Sequence, residues 1–238
     1  MANYINKYTN IEAYNADDGK QYPNVSYLVD EDIIKWNKYD PDHIVAVYNV
    51  TSTSEATKLL FDPNYNIIYQ IIDGVRQDTV QTTYTFDTLG EHIVKYKLNS
   101  YNINCSFNEC TSLTSMIIPN DFLQINRAYF CNGCSSLTNV KLSDKLDYIQ
   151  DRSFYGCSSL TDIIIPSSVT YIGSYNFQNC TSLTSVTVKA TTPPTLLIEV
   201  FDNTNNCPIY VPVESVDAYK TATNWSALAD RIQAIPTE

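Results

Sequence analysis

The chain has 238 residues, 44% of them hydrophobic and 17% charged, and carries a net charge of −11. That apolar share excludes disorder as the main state, and the acidic balance excludes nucleic acid as a partner, because phosphate binding needs concentrated Lys and Arg. No stretch approaches the roughly 20 apolar residues of a membrane helix, so no membrane insertion is expected.

Residues 1–41 differ in character from the rest. Residues 10–17 suit one or two helical turns capped by Asn10, and residues 25–29 and 33–37 flank Asp30, Glu31 and Asp32 as a small acidic hairpin. About forty residues are too few for an independent core. The segment is therefore expected to lean on a partner, on another copy of itself or on the next domain. Its start has no apolar h-region, so no secretory signal is expected. The phrases Tyr14-Asn-Ala-Asp, Tyr22-Pro-Asn-Val-Ser-Tyr and Asp30-Glu-Asp resemble the opening segment of fibre and appendage proteins from Bacteroides phages, crAss-like ones included. The resemblance implies an attachment and oligomerisation segment that docks on other virion proteins of the capsid or tail.

Residues 42–98 read as a small all-β domain. Strands are predicted at 44–50, 67–72, 82–86 and 93–98, with turns at Asp73 and Gly74 and at Leu89 and Gly90. The run from Thr83 to Tyr96 is similar to the last hairpin of small immunoglobulin-like bacterial modules. A sandwich of about five to seven short strands suits the length.

From residue 99 to the end the chain repeats. Cys110, Cys134, Cys157 and Cys180 each open a Cys-Ser/Thr-Ser-Leu-Thr phrase, at spacings of 24, 23 and 23 residues. Phe107, Phe130, Phe154, Phe177 and Phe201 recur in step, as do Leu113, Leu137, Leu160 and Leu183. Apolar strands follow at 116–118, 140–142, 163–165 and 186–188, and Ile125, Ile149 and Ile172 each precede their Phe by five residues. A unit of about 23 residues cannot enclose its own core. Identical units stacked at the ~4.8 Å strand spacing form continuous apolar ladders. Pro119 and Pro166 end their strands by removing a ladder donor. The stretch 92–98 falls one period before Met116, which makes it the expected first strand of the stack.

The repeat, best seen in Cys157-Ser-Ser-Leu-Thr-Asp-Ile-Ile-Ile-Pro-Ser-Ser-Val-Thr-Tyr-Ile-Gly, resembles the BspA-like leucine-rich repeats of Bacteroidetes surface and phage-borne proteins. The tail, from Ile209-Tyr-Val-Pro through Trp225 to Asp230-Arg-Ile-Gln-Ala-Ile, looks like that family's C-terminal cap. Open solenoid ends expose apolar ladder, so a cap is needed. Ser215 is the expected N-cap of a short helix over Val216–Thr221, with Trp225, Leu228 and Ile232 covering the last coil. The expected fold is thus mainly β: an N-terminal attachment segment (1–41), a small Ig-like β-sandwich (42–98) and a short leucine-rich-repeat solenoid with a small α cap (99–238).

No catalytic or metal-binding constellation is indicated. Cys131 and Cys134 have zinc or redox spacing, but Cys134 belongs to the repeat and no second pair stands near. A repeated disulfide column would strain a regular stack, so buried free thiols are expected. His43 and His92 lie 49 residues apart and define no triad with the many Ser and Asp. Gly156 and Gly173 read as turn residues, and no phosphate loop is present. The carboxylate pairs at Asp17 and Asp18, Asp30 and Asp32, and Asp40 and Asp42 lack EF-hand order and read as solvated turns. No catalytic residue, cofactor or metal ligand is assigned. Tyr148, Tyr155, Tyr171 and Tyr175 fall on solenoid bends beside Asn and Ser, the mix used in sugar or protein recognition, though tyrosines also serve simply to cover coil edges.

Two functions suit these readings. One is a phage virion structural protein, a head or tail fibre on the virion surface, homo-oligomeric and most simply trimeric, whose solenoid faces a host protein or glycan. The other is a bacterial cell-surface BspA-like adhesin, which requires export.

Overall fold

A computed structural model describes residues 40, 42–62 and 66–236. The predicted elements of residues 1–39 lie outside the described residues. Among the described residues the fold is mainly β, with one small α-helix. Its first part contains β1 (Ile44–Val50), β2 (Thr57–Lys58), β3 (Ile67–Ile72), β4 (Val75–Arg76), β5 (Thr83–Tyr84) and β6 (Gly90–Leu98). The second contains β7 (Asn102–Ile103), β8 (Leu113–Ile117), β9 (Gln124–Ile125), β10 (Asn139–Lys141), β11 (Tyr148–Ile149), β12 (Asp162–Ile165), β13 (Tyr171–Ile172), β14 (Ser185–Val188), β15 (Thr195–Leu196), β16 (Ile209–Val211), α1 (Val216–Thr221) and β17 (Ile232–Ala234).

The first part is not a separate two-sheet sandwich. Its strands β1, β3, β4 and β6 join those of the first coils in one sheet of order β10-β8-β1-β6-β3-β4, and β2 and β5 form a small two-stranded sheet of their own. Two expectations change with it. The 92–98 stretch does form a strand, but β1 lies antiparallel between it and β8, pairing Val47 with Ile93 on one edge and Ala46 with Met116 on the other. The reason is in β1 itself: Ile44, Ala46, Tyr48 and Val50 are buried in the common core, so the strand has an apolar face to contribute and both edges to pair. Likewise β5 does not form a hairpin with β6; it pairs with β2, Thr57 opposite Tyr84. The turn at Asp73 and Gly74 stands as read, with φ of 45° and 80°, the two positive values that a tight β3–β4 connection demands.

Beyond β6 each coil contributes one strand to each of two parallel faces. The strands β7, β9, β11, β13 and β15 form one sheet, in which Ile103, Ile125, Ile149, Ile172 and Leu196 point inward in register. On the other face β8 pairs with β10, and β12, β14, β16 and β17 continue the stack. Threonines stitch this face: Thr138 and Thr184 Oγ1 donate to the carbonyls of Thr114 and Thr161, at 3.0 and 2.9 Å. The repeated Leu-Thr pair therefore supplies one buried methyl group row and one inter-coil hydrogen-bond row.

The third side of the coil carries the Phe and Cys columns. The rings of Tyr96, Phe107, Phe130, Phe154, Phe177, Phe201 and Trp225 follow one another at centroid distances of 5.1, 5.5, 6.1, 5.4, 5.5 and 6.1 Å. Beside them the ladder cysteines donate Sγ–H to the preceding coil: Cys134 to Phe107 O at 3.1 Å, Cys157 to Cys131 O at 3.2 Å and Cys180 to Phe154 O at 3.1 Å. A small buried side chain with a weak donor is what this position requires, and Cys supplies it with little polar burden.

The C-terminal cap closes the stack. Helix α1 has the expected bounds, but Ser215 does not cap it through its side chain. Ser215 is buried in a preceding 3₁₀ turn instead. Trp225 and Ile232 are buried as expected, and Tyr219 joins them. Trp225 Nε1 donates to Pro194 O at 2.8 Å and Tyr219 OH to Ala190 O at 2.8 Å, so both rings bury without leaving a polar tip unpaired. Replacing the central Phe154 by Ala removes a fully buried ring touched from both neighbouring coils. The expected loss is about 3–5 kcal/mol in urea unfolding. A variant within about 1 kcal/mol of the parent would mean the column is not a structural spine.

Candidate functional site

Two columns of left-handed backbone run along the stack. In the first, Glu109, Gly133, Gly156, Asn179 and Asn203 have φ between 55° and 69°. In the second, Tyr129, Arg152, Tyr175 and Glu199 have φ between 54° and 63°. The conformation has a purpose, since it aims each N–H along the stacking axis at the next coil: Gly133 N reaches Tyr155 O at 2.7 Å and Tyr175 N reaches Ile198 O at 3.0 Å. The two columns differ in what occupies them. The first uses mainly Gly and Asn, the residues that tolerate this region. The second uses large side chains that do not. Gly173, by contrast, is not left-handed: a Cβ there would strike Asp151, so it is a close-approach glycine rather than a turn residue.

The second column forms a surface rail, exposed at Tyr129 and Glu199 and half-buried at Arg152 and Tyr175. The Arg152 guanidinium lies 5.5 Å from the Tyr129 ring centre and 4.6 Å from that of Tyr175, and Nη1 donates to Tyr129 OH at 2.7 Å. Next to Tyr129 a cleft of about 400 Å³ opens where the first part of the chain meets the solenoid. Phe61 and Tyr129, 53% and 41% exposed, provide its aromatic surface, and Asn108, Asn126 and Gln150 provide carboxamides. Arg127 completes the lining and pairs with Asp62 at 3.7 Å. Phe61 is held there by the backbone, since Phe61 N donates to Ser106 O at 2.9 Å and Asp62 bridges Ser106.

The tyrosines singled out from sequence sit in two places. Tyr148 and Tyr171 occupy the outward face of β11 and β13 and stack at 4.3 Å with ring planes 3° apart. Desolvation, then the hydrogen bond with Tyr148 and the charge of Asp151, push the Tyr171 phenol up to about 12. Tyr175 lies in the rail, while Tyr155 is half-buried beside Gly156. Sequence reasoning missed Phe61, Arg127, Tyr129 and Arg152. The 23-, 23- and 24-residue spacing of Tyr129, Arg152, Tyr175 and Glu199 was the available signal for the rail. Phe61 gave none, because only the tertiary fold brings it to the repeat.

The other candidates serve the fold. All seven cysteines are free and buried. Burial pushes the thiols of Cys105 and Cys180 up to about 12 and those of Cys110, Cys131 and Cys157 well above the ordinary range. Cys131 Sγ faces Met116 Sδ at 4.0 Å, away from any ligand set. His43 and His92 lie at separate points of the sheet, His43 between Asp40 Oδ1 at 2.9 Å and Tyr69 OH at 3.1 Å, His92 between Asp73 Oδ2 at 2.5 Å and Thr88 O at 2.9 Å. Among the described residues no three His, Cys, Asp or Glu side chains gather as metal ligands would. Asp40 is not a solvated turn residue: it is buried and its Oδ2 accepts from Lys95 Nζ at 3.0 Å. The other acidic pairs, Asp17 with Asp18 and Asp30 with Asp32, lie outside the described residues.

Comparison with known proteins agrees with the repeat. The family described as "BspA type Leucine rich repeat region" matches residues 87–212, in 6 copies. Among solved structures, a leucine-rich repeat protein from Eubacterium ventriosum ATCC 27560 is 28% identical, covering 50% of this chain and 31% of its own, with a TM-score of 0.41. One from Bacteroides ovatus ATCC 8483 is 25% identical, covering 57% and 36%, with a TM-score of 0.40. The T. pallidum Leucine Rich Repeat protein is 23% identical, covering 53% and 65%, with a TM-score of 0.33. This chain thus spans about a third of the length of the first two. No curated protein sequence matches it.

The Asp40 pair makes stability depend on acid. Burial alone would raise the Asp40 carboxyl, but the His43 hydrogen bond and the Lys95 charge outweigh it and hold the group well below its ordinary 3.8. Its contribution is therefore complete above about pH 4 and drains as pH falls from there through the folded value. Asp40→Asn is expected to flatten the acid-unfolding curve below pH 4. At pH 7 it should cost roughly 3–5 kcal/mol, because Lys95 stays buried without its partner. Equal acid profiles for the two proteins would exclude this role. Separately, a thiol reagent is expected to find no reactive cysteine in the native protein and all seven after unfolding. A chelator should leave Tm unchanged; a chelator-induced fall of several degrees would point to a bound metal.

Proposed function

The chain belongs to the BspA-type leucine-rich-repeat family, and from that premise we propose that it is a non-catalytic display protein, a phage head or tail fibre whose solenoid presents an adhesive surface. The observation that carries the reading is the surface Tyr129–Arg152–Tyr175 rail beside the cleft. Large aromatic and cationic side chains occupy strained backbone positions on a rigid stack, where Gly or Asn would fold more easily. Backbone outliers of this kind cluster where a surface is used. Paired rings and a guanidinium suit recognition rather than bond-breaking, and both histidines are engaged in holding the sheet.

The virion assignment rests on the resemblance of residues 14–32 to the opening of phage fibre proteins. In this reading residues 1–41 dock on capsid or tail proteins and bring copies of the chain together, most simply as a trimer. The partner of the displayed surface is a host protein or glycan. The place of action is the virion surface.

Light scattering on residues 1–238 and on residues 40–238 tests the assembly step. The shorter form begins at residue 40 because Asp40 neutralises the buried Lys95. The full chain is expected at three times its monomer mass and the shorter form at one. Monomers in both cases would remove the fibre reading and leave a surface adhesin of the same family as the better account.

A further inference from the structure

We propose that the cleft between Phe61 and Tyr129 is a binding subsite for a neutral saccharide of one or two rings. The inference rests on the adhesive reading above and names its ligand. At about 400 Å³ the cleft falls in the range of small-molecule sites. Its two aromatic rings offer flat apolar surface for the C–H face of a pyranose. Asn126 offers a carboxamide that donates and accepts at once, as sugar hydroxyls do, while Asn108 and Gln150, whose oxygens accept from Asn132 Nδ2 at 2.7 Å and Asp151 N at 3.2 Å, offer their amide N–H donors.

Charge and backbone argue against the competing ligands. Arg127 is already paired with Asp62, and the whole chain carries −11, so an anion gains little here. An extended peptide needs free backbone groups to pair with, and many of those around the cleft are engaged by the fold. Phe61 N donates to Ser106 O at 2.9 Å, Asn126 N to Ile103 O at 3.0 Å, Tyr129 N to Asp151 O at 3.1 Å and Gln150 N to Ile125 O at 3.1 Å. Two carbonyl oxygens of the lining are taken as well: Ser106 Oγ donates to Tyr129 O at 2.9 Å, and Ser153 Oγ and Asn176 Nδ2 donate to Gln150 O at 2.7 and 2.6 Å. Tyr129 is held in place for the task by the hydrogen bond from Arg152, at a left-handed φ of 63° that a tyrosine adopts against its preference.

That strain provides a clean variant. Tyr129→Asn removes the ring and puts a residue suited to the backbone in its place, so its Tm is expected to equal or exceed the parent's. Phe61→Ala removes the exposed ring from the opposite wall. The full chain is titrated by saturation-transfer NMR with cellobiose, maltose, lactose, chitobiose and mannobiose, and its retention on immobilised mucin is measured in parallel. Transfer to at least one disaccharide is expected, weakened about tenfold or more in each variant, the loss of one stacking ring being worth about 1.4 kcal/mol. No transfer to any disaccharide, or equal transfer in the variants, would overturn the subsite. Displacement of the sugar by an extended peptide would overturn it in favour of a peptide site. The mucin arm reads the adhesive function separately. Retention that survives both variants leaves adhesion standing and removes the cleft from it. Disaccharide transfer without retention upholds the subsite for free sugar and removes adhesion.

Discussion

The ring column is the constraint on which the rest of the molecule depends. A Phe in each coil meets the Phe of the next at 5.4–6.1 Å between Phe107 and Phe201, with Phe107 contacting Phe130 at 5.5 Å. No coil can shift in register without breaking two such contacts. The column does not end with the repeats: Tyr96 of β6 abuts Phe107, and Trp225 of the cap abuts Phe201. Both termini of the stack are therefore fastened to the same spine. The geometry changes along it, from edge-on between Phe107 and Phe130 to parallel between Phe154 and Phe177. Either arrangement is favourable for aromatic rings, so the column tolerates the irregular early coils without opening.

A fixed spine lets the surface carry strain. Each coil must turn two N–H groups along the stacking axis, and it does so by passing through left-handed backbone on both flanks of the Phe. One flank is occupied mostly by the residues that prefer this conformation. The other holds Tyr, Arg, Tyr and Glu. The inter-coil hydrogen bonds and the buried rings offset that strain, and the result is a row of large side chains whose backbone cannot relax. Pre-organisation of this kind lowers the entropy lost when a ligand is bound.

The repeat was legible in the sequence because its buried positions recur in identical chemistry. Cys, Leu, Phe and Ile at fixed offsets predict the coil, one strand per coil and the cap, while the second parallel face, one Ile or Leu per coil on strands of two residues, is too short to read as strand from sequence. The N-terminal part was less legible for a physical reason: a strand's partner is not written in its own residues. β1 has an apolar face and alternates weakly, which suits a sandwich as well as insertion beside β8, and only the competition among edges decides. Asp40 was misread for a related reason, since a carboxylate near Asp42 looks solvated until Lys95, distant in sequence, is brought over it. The rail was half visible, in Tyr175. Tyr129 and Arg152 keep its period, but their kinship shows only once the backbone is seen to be left-handed at all of these positions.

The insertion of β1 also explains where the cleft lies. On one face β6 and β8 are held apart by a whole strand, while on the other β7 pairs directly with β9. The first coil is thus spread from the second on one side and closed on the other. The chain that leaves β2 enters this uneven seam, where Asp62 bridges Ser106 and Phe61 is set against the solenoid turns. A regular stack would offer Tyr129 and its neighbours as a shallow ridge. The junction adds a second wall, so the concave site belongs to neither part alone, and its shape is fixed by the same strand pairing that joins them.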